Sequence, residues 1–299
     1  VHKSKGGKPT PMLYQKTLKH DLQFNGVGLH FGQPVNLTLK PAPPNTGIVF
    51  SRTDTGHDEA TRAVLANVSA ANLSTTIGLN GSSVNTVEHL LAALAGMGID
   101  NARVEVDAPE IPILDGSAAP FVRELKNARI AYPEEARKVV VIREPITVQC
   151  GDKYIEAYPA DRLIIDYTID FEHPLLENQS MTFTFSYSKF ERELSAARTF
   201  CFLHEVEYMR ANGYAQGGSL DNAVVIGEDG ILNKEGLRFS DEFVRHKVLD
   251  FIGDISLLGH PIVGYIKAYK SGHALNHEFL KEVLNQYKKW DLARIVASE

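Results

Sequence analysis

Hydrophobic and polar positions alternate along much of the chain, which is typical of strands with one buried face. In the first half this pattern predicts strands over 34–41, 46–53 and 101–108. Apolar residues at helical spacing in "NTVEHLLAALAGMG" predict a helix over 85–98 that is closed by glycine. A shorter helix is expected over 120–127. The first half is therefore expected to combine a sheet with helices.

The second half repeats this order of elements without repeating the sequence. A long helix is expected near 241–258, then a strand over 261–270 and a last helix from about 276 to 289. Strand patterns come before them, in "KVVVIREPITVQ", "YIEAYPA", "RLIIDYTIDF" and "SMTFTFSY". Residues 128–138 contain proline and charge without periodicity, which indicates a linker.

These patterns predict an α+β fold of two similar domains, over 12–127 and 139–299, on either side of the linker at 128–138. Each domain is expected to be a β-sheet layered with helices, and the two domains to pack helix to helix. An active site is then expected between them, because ligand sites often lie at domain interfaces.

An insertion is expected at about 201–230. Phe202, Val206 and Met209 recur at helical spacing, the Gly217–Gly218 pair breaks the helix, and "NAVVIG" is typical of a strand. Such an apolar helix–strand unit either shelters an apolar part of a ligand or adds to the core.

Composition and charge exclude several classes of protein. With 43% hydrophobic and 23% charged residues, the chain has the composition of an ordinary globular protein. Its longest apolar run, around "HLLAALAGMGI", is shorter than the roughly 18 residues of a membrane span. The net charge of −6 includes five lysines within residues 1–20, so the rest is acidic and no nucleic-acid partner is expected.

Two further features concern the N-terminal segment and the expected cellular compartment. Residues 1–11 are expected to be a flexible extension or an expression remnant before a natural start at Met12. Two cysteines, Cys150 and Cys201, form no CxxC motif, and no signal peptide pattern is visible, so a reducing cytoplasm is expected.

Candidate chemistry begins in "FVRHKVLDFIGD", residues 243–254. His246, Asp250 and Asp254 follow one another at four-residue steps, which places them on one face of a helix together with apolar residues. Buried charges require a partner or a metal ion. Two imidazoles and one carboxylate form a catalytic zinc set with an open fourth position, and His89 is the best candidate for the missing ligand.

Two further residues suit the chemistry of such a site. Glu88 directly precedes His89 near a helix start, and a carboxylate beside a metal-bound water is the general base that metal hydrolases require. His273, in the glycine-containing turn of "KSGHALN", would protonate a leaving amine.

Each of these features also has a plainer interpretation. A His–Asp pair at this spacing is usually a helix-surface pair. Glu88 lies three residues after Asn85, as in a capping box, and a turn histidine such as His273 is usually solvated. HExxH is absent. From these residues alone, a metal hydrolase is one of several open interpretations.

Eight segments, taken together and in order over about residues 13 to 285, resemble the bacterial UDP-3-O-acyl-N-acetylglucosamine deacetylases. They are "GVGLHFG" (26–32), "LSTT" (73–76), "TVEHLLAALAGMGIDNARVEV" (86–106), "EIPILDGSAAPF" (110–121), "SAARTF" (195–200), "GGSLDNAVV" (217–225), "GLRFSDEFVRHKVLDFIGD" (236–254) and "SGHALN" (271–276).

The resemblance implies a zinc amidase that releases acetate from UDP-3-O-acyl-N-acetylglucosamine in the committed step of lipid A synthesis. It implies the cytoplasm of a Gram-negative type bacterium, and Fe²⁺ also suits the same ligands in the cell. A monomer is expected, without a fused dehydratase domain. Carried over, the zinc ligands are His89, His246 and Asp250, and the general base is Glu88.

The remaining site residues are also implied by the resemblance. His273, oriented by Asp254, stabilises the transition state and protonates the amine, and Thr199 donates to the oxyanion. Lys247 is implied both as a catalytic and as a substrate-binding residue; from its place beside His246 it is expected to point to a different helix face and meet a phosphate. The residues that line the sugar-nucleotide or phosphate site are Phe200, His30 and Phe171. The insertion at 201–230 corresponds to the apolar passage for the acyl chain.

Two rival functions remain to be weighed. A non-haem Fe(II) oxygenase uses two histidines and a carboxylate, but it needs O₂ and usually a cosubstrate, and no reductive-partner motif is visible. A non-catalytic binding protein on the same scaffold would lack at least one of the metal ligands or catalytic residues. All of them are present.

Overall fold

The computed structural model describes residues 13–56, 60–78 and 81–294. The extension expected at 1–11 lies outside them. Within the described residues the chain forms several sheets and six α-helices, so the predicted mixture of α and β structure is confirmed. None of these helices has the length and the apolar character that crossing a membrane requires.

The first half contains a five-stranded sheet in the order β2 (Leu22–Val27), β3 (Pro34–Pro41), β8 (Ala102–Val106), β4 (Ile48–Arg52) and β5 (Thr61–Arg62). The predicted strand over 34–41 is confirmed with the same bounds, and β2 packs on a helix through the Phe24 and Phe121 rings, 5.0 Å apart. The elements are β1 (Thr17–Leu18), β2 (Leu22–Val27), β3 (Pro34–Pro41), β4 (Ile48–Arg52), β5 (Thr61–Arg62), β6 (Val68–Ala70), β7 (Thr76–Ile77), α1 (Glu88–Met97), β8 (Ala102–Val106) and α2 (Ala119–Asn127).

The second half contains a seven-stranded sheet whose central strand, β18 (Ile262–Tyr269), pairs with three neighbours. Alternate residues of β18 are buried, as its two-residue period requires. The elements are β9 (Ile130–Ala131), β10 (Lys138–Ile142), β11 (Ile146–Cys150), β12 (Lys153–Tyr158), β13 (Leu163–Ile169), β14 (Gln179–Thr184), α3 (Tyr187–Lys189), β15 (Phe200–Phe202), α4 (Leu203–Ala211), β16 (Val224–Gly227), β17 (Gly230–Ile231), α5 (Glu242–Ile255), β18 (Ile262–Tyr269), α6 (His273–Asn285) and β19 (Trp290–Arg294).

The segment between the halves, 128–138, is fastened to the first half. Its strand β9 pairs with β1, and Arg137 is buried and donates from Nε to Asp100 Oδ1 at 2.7 Å. The insertion forms a small sheet of β15, β16 and β17 with α4, and α4 ends at Ala211, before the Gly217–Gly218 pair that was expected to break it.

Helices α1 and α5 pack directly against each other. Gly253 permits this close approach, because a Cβ atom there would collide with the main-chain carbonyl oxygen of Glu88. Apolar residues of both helices and of both large sheets belong to one buried cluster. The contact places the polar residues of the two helices opposite each other inside this core.

The last helix begins earlier than the sequence pattern indicates. Gly272 is its N-cap in an extended conformation, and the first helical residue is His273 rather than residue 276. The prediction that His273 lies in a turn before the helix is therefore wrong. Its ring is 9% exposed, which also removes the solvated-loop interpretation.

Candidate active site

Three buried side chains from α1 and α5 form a cluster with the geometry of a metal site. One ligand atom each of His89, His246 and Asp250 lies within 4.8 Å of the other two. Asp250 Oδ1 is 3.4 Å from His89 Nε2 and 3.3 Å from His246 Nε2. It is buried and has no hydrogen-bond donor in the described part of the chain. An orphaned carboxylate oxygen between two imidazole nitrogens fits a divalent ion.

The surroundings of His246 leave one nitrogen free for a ligand. Its Nδ1 lies 3.1 Å from the carbonyl oxygen of Ala197, which can only accept, so Nδ1 carries the proton. Burial lowers the pKa of His246 to about 3, despite the nearby Asp250 carboxylate. The ring is therefore neutral, and Nε2 presents a lone pair toward the cluster.

The other oxygen of Asp250 is occupied. Lys247 Nζ donates to Asp250 Oδ2 at 2.9 Å, and its ammonium group lies 5.4 Å from the centre of the Phe200 ring. Burial opposes ionisation of Asp250, but the charged Lys247 ammonium group beside it holds the pKa of its carboxyl well below the usual range. Lys247 was expected on a different helix face; the structure instead joins it to this carboxylate.

Glu88 is the first residue of α1 and is 3% exposed. Its Oε2 accepts from the main-chain N–H of Thr75 at 3.0 Å. The capping-box interpretation is wrong, because the N-cap is Val87 and no side chain caps the helix. Burial raises the pKa of Glu88, although the imidazoles of His273 and His89 oppose the shift. A carboxylate with a raised pKa beside a metal cluster suits proton transfer.

His273 approaches Glu88 from α6. Its Nε2 lies 3.9 Å from Glu88 Oε1, and its Nδ1 lies 2.7 Å from Asp254 Oδ2. Burial alone would disfavour the charged ring, but the Asp254 carboxylate prevails and raises the pKa of His273 to about 9. The imidazolium is therefore the form present at neutral pH.

A pocket of about 420 Å³ opens over these groups. Four other residues expected in the site, His30, Thr199, Phe200 and Lys247, contribute to its lining. Side chains of the insertion complete its apolar part, among them Leu203, Val206 and Met209. The pocket therefore joins the polar cluster to an apolar wall.

Two expected site residues lie outside this lining: Asp254, which contacts His273 within the core, and Phe171. The Phe171 ring is 37% exposed and packs edge-on against Phe200 and Phe202, with ring centres 5.9 and 6.0 Å apart. It therefore contacts the pocket wall from behind.

The sequence profile described as LpxC, UDP-3-O-acyl N-acetylglycosamine deacetylase, matches residues 15–285. That span is most of the chain. The chain belongs to this family.

Curated relatives share about half of their residues with this family member, and each is named UDP-3-O-acyl-N-acetylglucosamine deacetylase. The protein of Syntrophus aciditrophicus is 49% identical over 282 residues, which cover 94% of this chain and 90% of the relative. That of Myxococcus xanthus is 52% identical over 271 residues, covering 91% and 86%. That of Saccharophagus degradans is 50% identical over 283 residues, covering 94% and 93%.

Around Asp254 of this LpxC-family chain, the structure adds residues that sequence reasoning did not single out. Thr75 Oγ1 and Asn276 Nδ2 donate to its carboxylate at 2.6 and 2.7 Å, and His277 Nε2 lies 3.5 Å from it. Thr75 and Asn276 lie inside the segments "LSTT" and "SGHALN". Their place in those segments was the one available signal, because Thr75 is 179 residues from Asp254 in sequence.

Proposed function

We propose that this chain hydrolyses the N-acetyl group of UDP-3-O-acyl-N-acetylglucosamine and releases acetate, in the committed step of lipid A biosynthesis. The observation that carries the proposal is the cluster of His89, His246 and Asp250 with Glu88 and His273 beside it, within one pocket. Membership of the deacetylase family supplies the substrate.

The three clustered residues would hold the metal ion. Two neutral imidazoles and a carboxylate suit Zn²⁺, which we propose as the ion, and the same donors also accept Fe²⁺ in the cell. When bound, such an ion polarises the amide carbonyl and acidifies the attacking water. The ammonium group of Lys247 keeps Asp250 ionised, and the Ala197 carbonyl keeps His246 in the tautomer that leaves Nε2 free.

Glu88 is the proposed general base. Its Oε2 is fixed by the Thr75 N–H, which leaves Oε1 toward His273 and the pocket to take a proton from water. Burial strengthens this base, since a carboxylate with a raised pKa accepts a proton more readily near neutral pH.

His273 is the proposed acid. Its Nδ1–H is held by Asp254, so Nε2–H is the proton available to the departing amine. The positive ring also stabilises the negative charge that develops on the carbonyl oxygen. The Thr199 hydroxyl is the proposed second donor to that oxygen. Two main-chain hydrogen bonds hold Thr199 in place: its N–H donates to Gly116 O, and its carbonyl oxygen accepts from Val224 N, at 2.8 Å each.

Substrate binding is assigned to the rest of the pocket. Lys247, whose ammonium group also bonds Asp250, is proposed to bind substrate as a point charge, and Phe200 and His30 line the sugar-nucleotide part. Phe171 supports Phe200 from behind. The insertion at 201–230 receives the acyl chain, because its side chains give the pocket its apolar wall.

At the level of the whole chain we propose two similar domains, 12–127 and 139–299, connected by 128–138, with the site between them. The packing of α1 on α5 and the separate large sheets support this division. We also propose a monomer, and, following the family's role, action in the cytoplasm.

The test is acetate release by the metal-loaded protein from UDP-3-O-acyl-N-acetylglucosamine, with UDP-N-acetylglucosamine as the matched substrate without an acyl chain. We expect release from the acylated substrate and much slower release from the other. Folded, metal-loaded protein that releases acetate from neither would contradict the proposal.

A further inference from the structure

Glu110 is a buried carboxyl group beside the pocket with no role assigned so far. It is 1% exposed and follows β8 in the segment "APEIPILDG". Its partners are neutral donors. Oε1 and Oε2 both accept from the main-chain N–H of His30, at 3.0 and 2.9 Å, Oε2 accepts from Phe31 N at 3.0 Å, and Oε1 accepts from Thr86 Oγ1 at 2.7 Å. Both oxygens act only as acceptors, and each of them accepts two of these hydrogen bonds.

The hydrogen bonds from His30 N and Phe31 N to Glu110 fix the turn at 28–32. Gly32 has a φ of +64° and donates to the carbonyl oxygen of Gly28 at 3.1 Å, which closes the turn tightly. Gly28 has no room for a side chain, because a Cβ atom there would collide with Glu110 Oε2. The turn is thus built around the Glu110 carboxyl group, with its N–H groups aimed at it.

The other side of the turn faces the pocket. Leu29 and His30 line it, and their carbonyl oxygens accept from Gly217 N and Gln216 N of the insertion, each at 3.0 Å. The His30 ring is 6% exposed and packs edge-on against Tyr214, with centres 5.6 Å apart. Movement of the turn would therefore move His30 within the pocket.

The remaining contact reaches the start of α1. Thr86 has a φ of +59°, an uncommon conformation for a β-branched residue. Its hydroxyl bond to Glu110 favours this conformation, two residues before Glu88 and three before His89. One carboxyl group thus contacts both the turn with His30 and the residue that leads into the catalytic helix.

We propose that Glu110 is a positioning residue, which acts through the His30 turn to set the substrate-binding geometry. The proposal rests on the deacetylase function proposed above. In Glu110→Gln one oxygen becomes an N–H₂ group that faces the N–H donors of the turn, so at least one of its bonds is lost. Because a hydrogen bond to a charged group contributes substantial free energy, its loss should lower kcat/KM roughly 10- to 100-fold, mainly by raising KM.

A double-mutant cycle with His30→Ala separates positioning from a general loss of structure. If Glu110 acts through His30, the double variant should lose no more than about threefold beyond the larger single loss. Losses that multiply would overturn the proposal. Asp107→Asn is the matched control: this carboxylate lies three residues away, bonds Asn36 rather than the turn, and should leave kcat and KM unchanged.

Gly28→Ala provides the same test if Glu110→Gln fails to fold. Its new Cβ atom pushes the carboxyl group from the turn without removing it, and its loss should also fail to multiply with that of His30→Ala. Multiplying losses would again overturn the role of Glu110. An inactive, zinc-loaded wild-type protein would overturn the deacetylase function itself, whereas an active one with normal Glu110→Gln kinetics would overturn the positioning role alone.

Discussion

At the scale of single residues, buried ionisable side chains in the site have charge states set by their neighbours. Burial raises the pKa of Glu88, while the carboxylate of Asp254 raises that of His273 to about 9. The two groups lie 3.9 Å apart, one suited to accept a proton and the other to donate one. Neighbouring titratable groups whose environments suit one to accept a proton and the other to donate one are a common arrangement in acid–base catalysis.

Replacing Glu88 by glutamine should remove turnover but keep the metal. Loss of a general base lowers kcat by about 10²- to 10⁴-fold, while the three clustered ligands stay intact. Acetate release and zinc content should be measured on the same sample. If zinc is lost together with activity, Glu88 is a ligand rather than the base.

The pH profile should report His273. A protonated ring is needed, so activity should be present below about pH 9 and be lost as the pH rises through that value. Asp254→Asn removes the charge that raises the pKa of His273 most, so the opposing effect of burial gains weight and that pKa falls. The alkaline limb of kcat/KM should therefore move to lower pH. A limb that stays in place would assign it to another group.

Sequence reasoning reached some of these residues better than others. Four-residue spacing was enough to place His246 and Asp250 together on one helix face. Their meeting with His89 depends on how α1 packs on α5, which spacing does not contain. The matching order of elements in the two halves made His89 a candidate, and the resemblance implied the same ligand. Thr75 and Glu110 gave no local signal of their own, because their contacts join distant parts of the chain.

At the scale of elements, the site depends on the close contact of α1 and α5. Gly253 allows it, and the four-residue steps along α5 direct His246 and Asp250 toward α1. The sequence pattern found both helices but misplaced the start of α6 by three residues, because a glycine N-cap resembles a turn. The resemblance implied both Phe200 and Phe171 as lining residues; Phe200 lines the pocket, whereas Phe171 packs against Phe200 outside the lining.

Gly253→Ala should loosen the metal site without touching a ligand. The added methyl group collides with the Glu88 carbonyl oxygen, so α5 must move away from α1. Overpacking of this kind costs about 1–3 kcal/mol, and zinc affinity should fall with thermal stability. Gly253→Val should lose more of both. Unchanged zinc affinity in both variants would show that the helix separation does not set the site.

At the scale of the whole molecule, the proposed metal ligands come from both halves of the chain. His89 belongs to the first half, and His246 and Asp250 to the second, so a bound ion would connect the two. The segment 128–138 adds a second connection through β9 and Arg137. The order of elements predicted strands and helices in each half. How the two halves face each other depends on buried contacts between distant residues, which that order does not contain.

Removal of the metal should therefore lower the melting temperature of the whole chain. An ion at 100 times its Kd stabilises the folded state by about 2.7 kcal/mol. Calorimetry with and without a chelator measures the shift, and His89→Ala is the matched control, whose melting temperature should not respond to the chelator. Equal melting temperatures for metal-loaded and stripped wild-type protein would contradict a structural link through the ion.

The most direct test of the central claim is acetate release by metal-stripped protein, before and after one equivalent of Zn²⁺. We expect no release of acetate from UDP-3-O-acyl-N-acetylglucosamine by the stripped protein and full activity after a single equivalent, since one site with three ligands is proposed. Activity that persists in the stripped protein, or that does not return in folded, zinc-loaded protein, would contradict a zinc-dependent deacetylase.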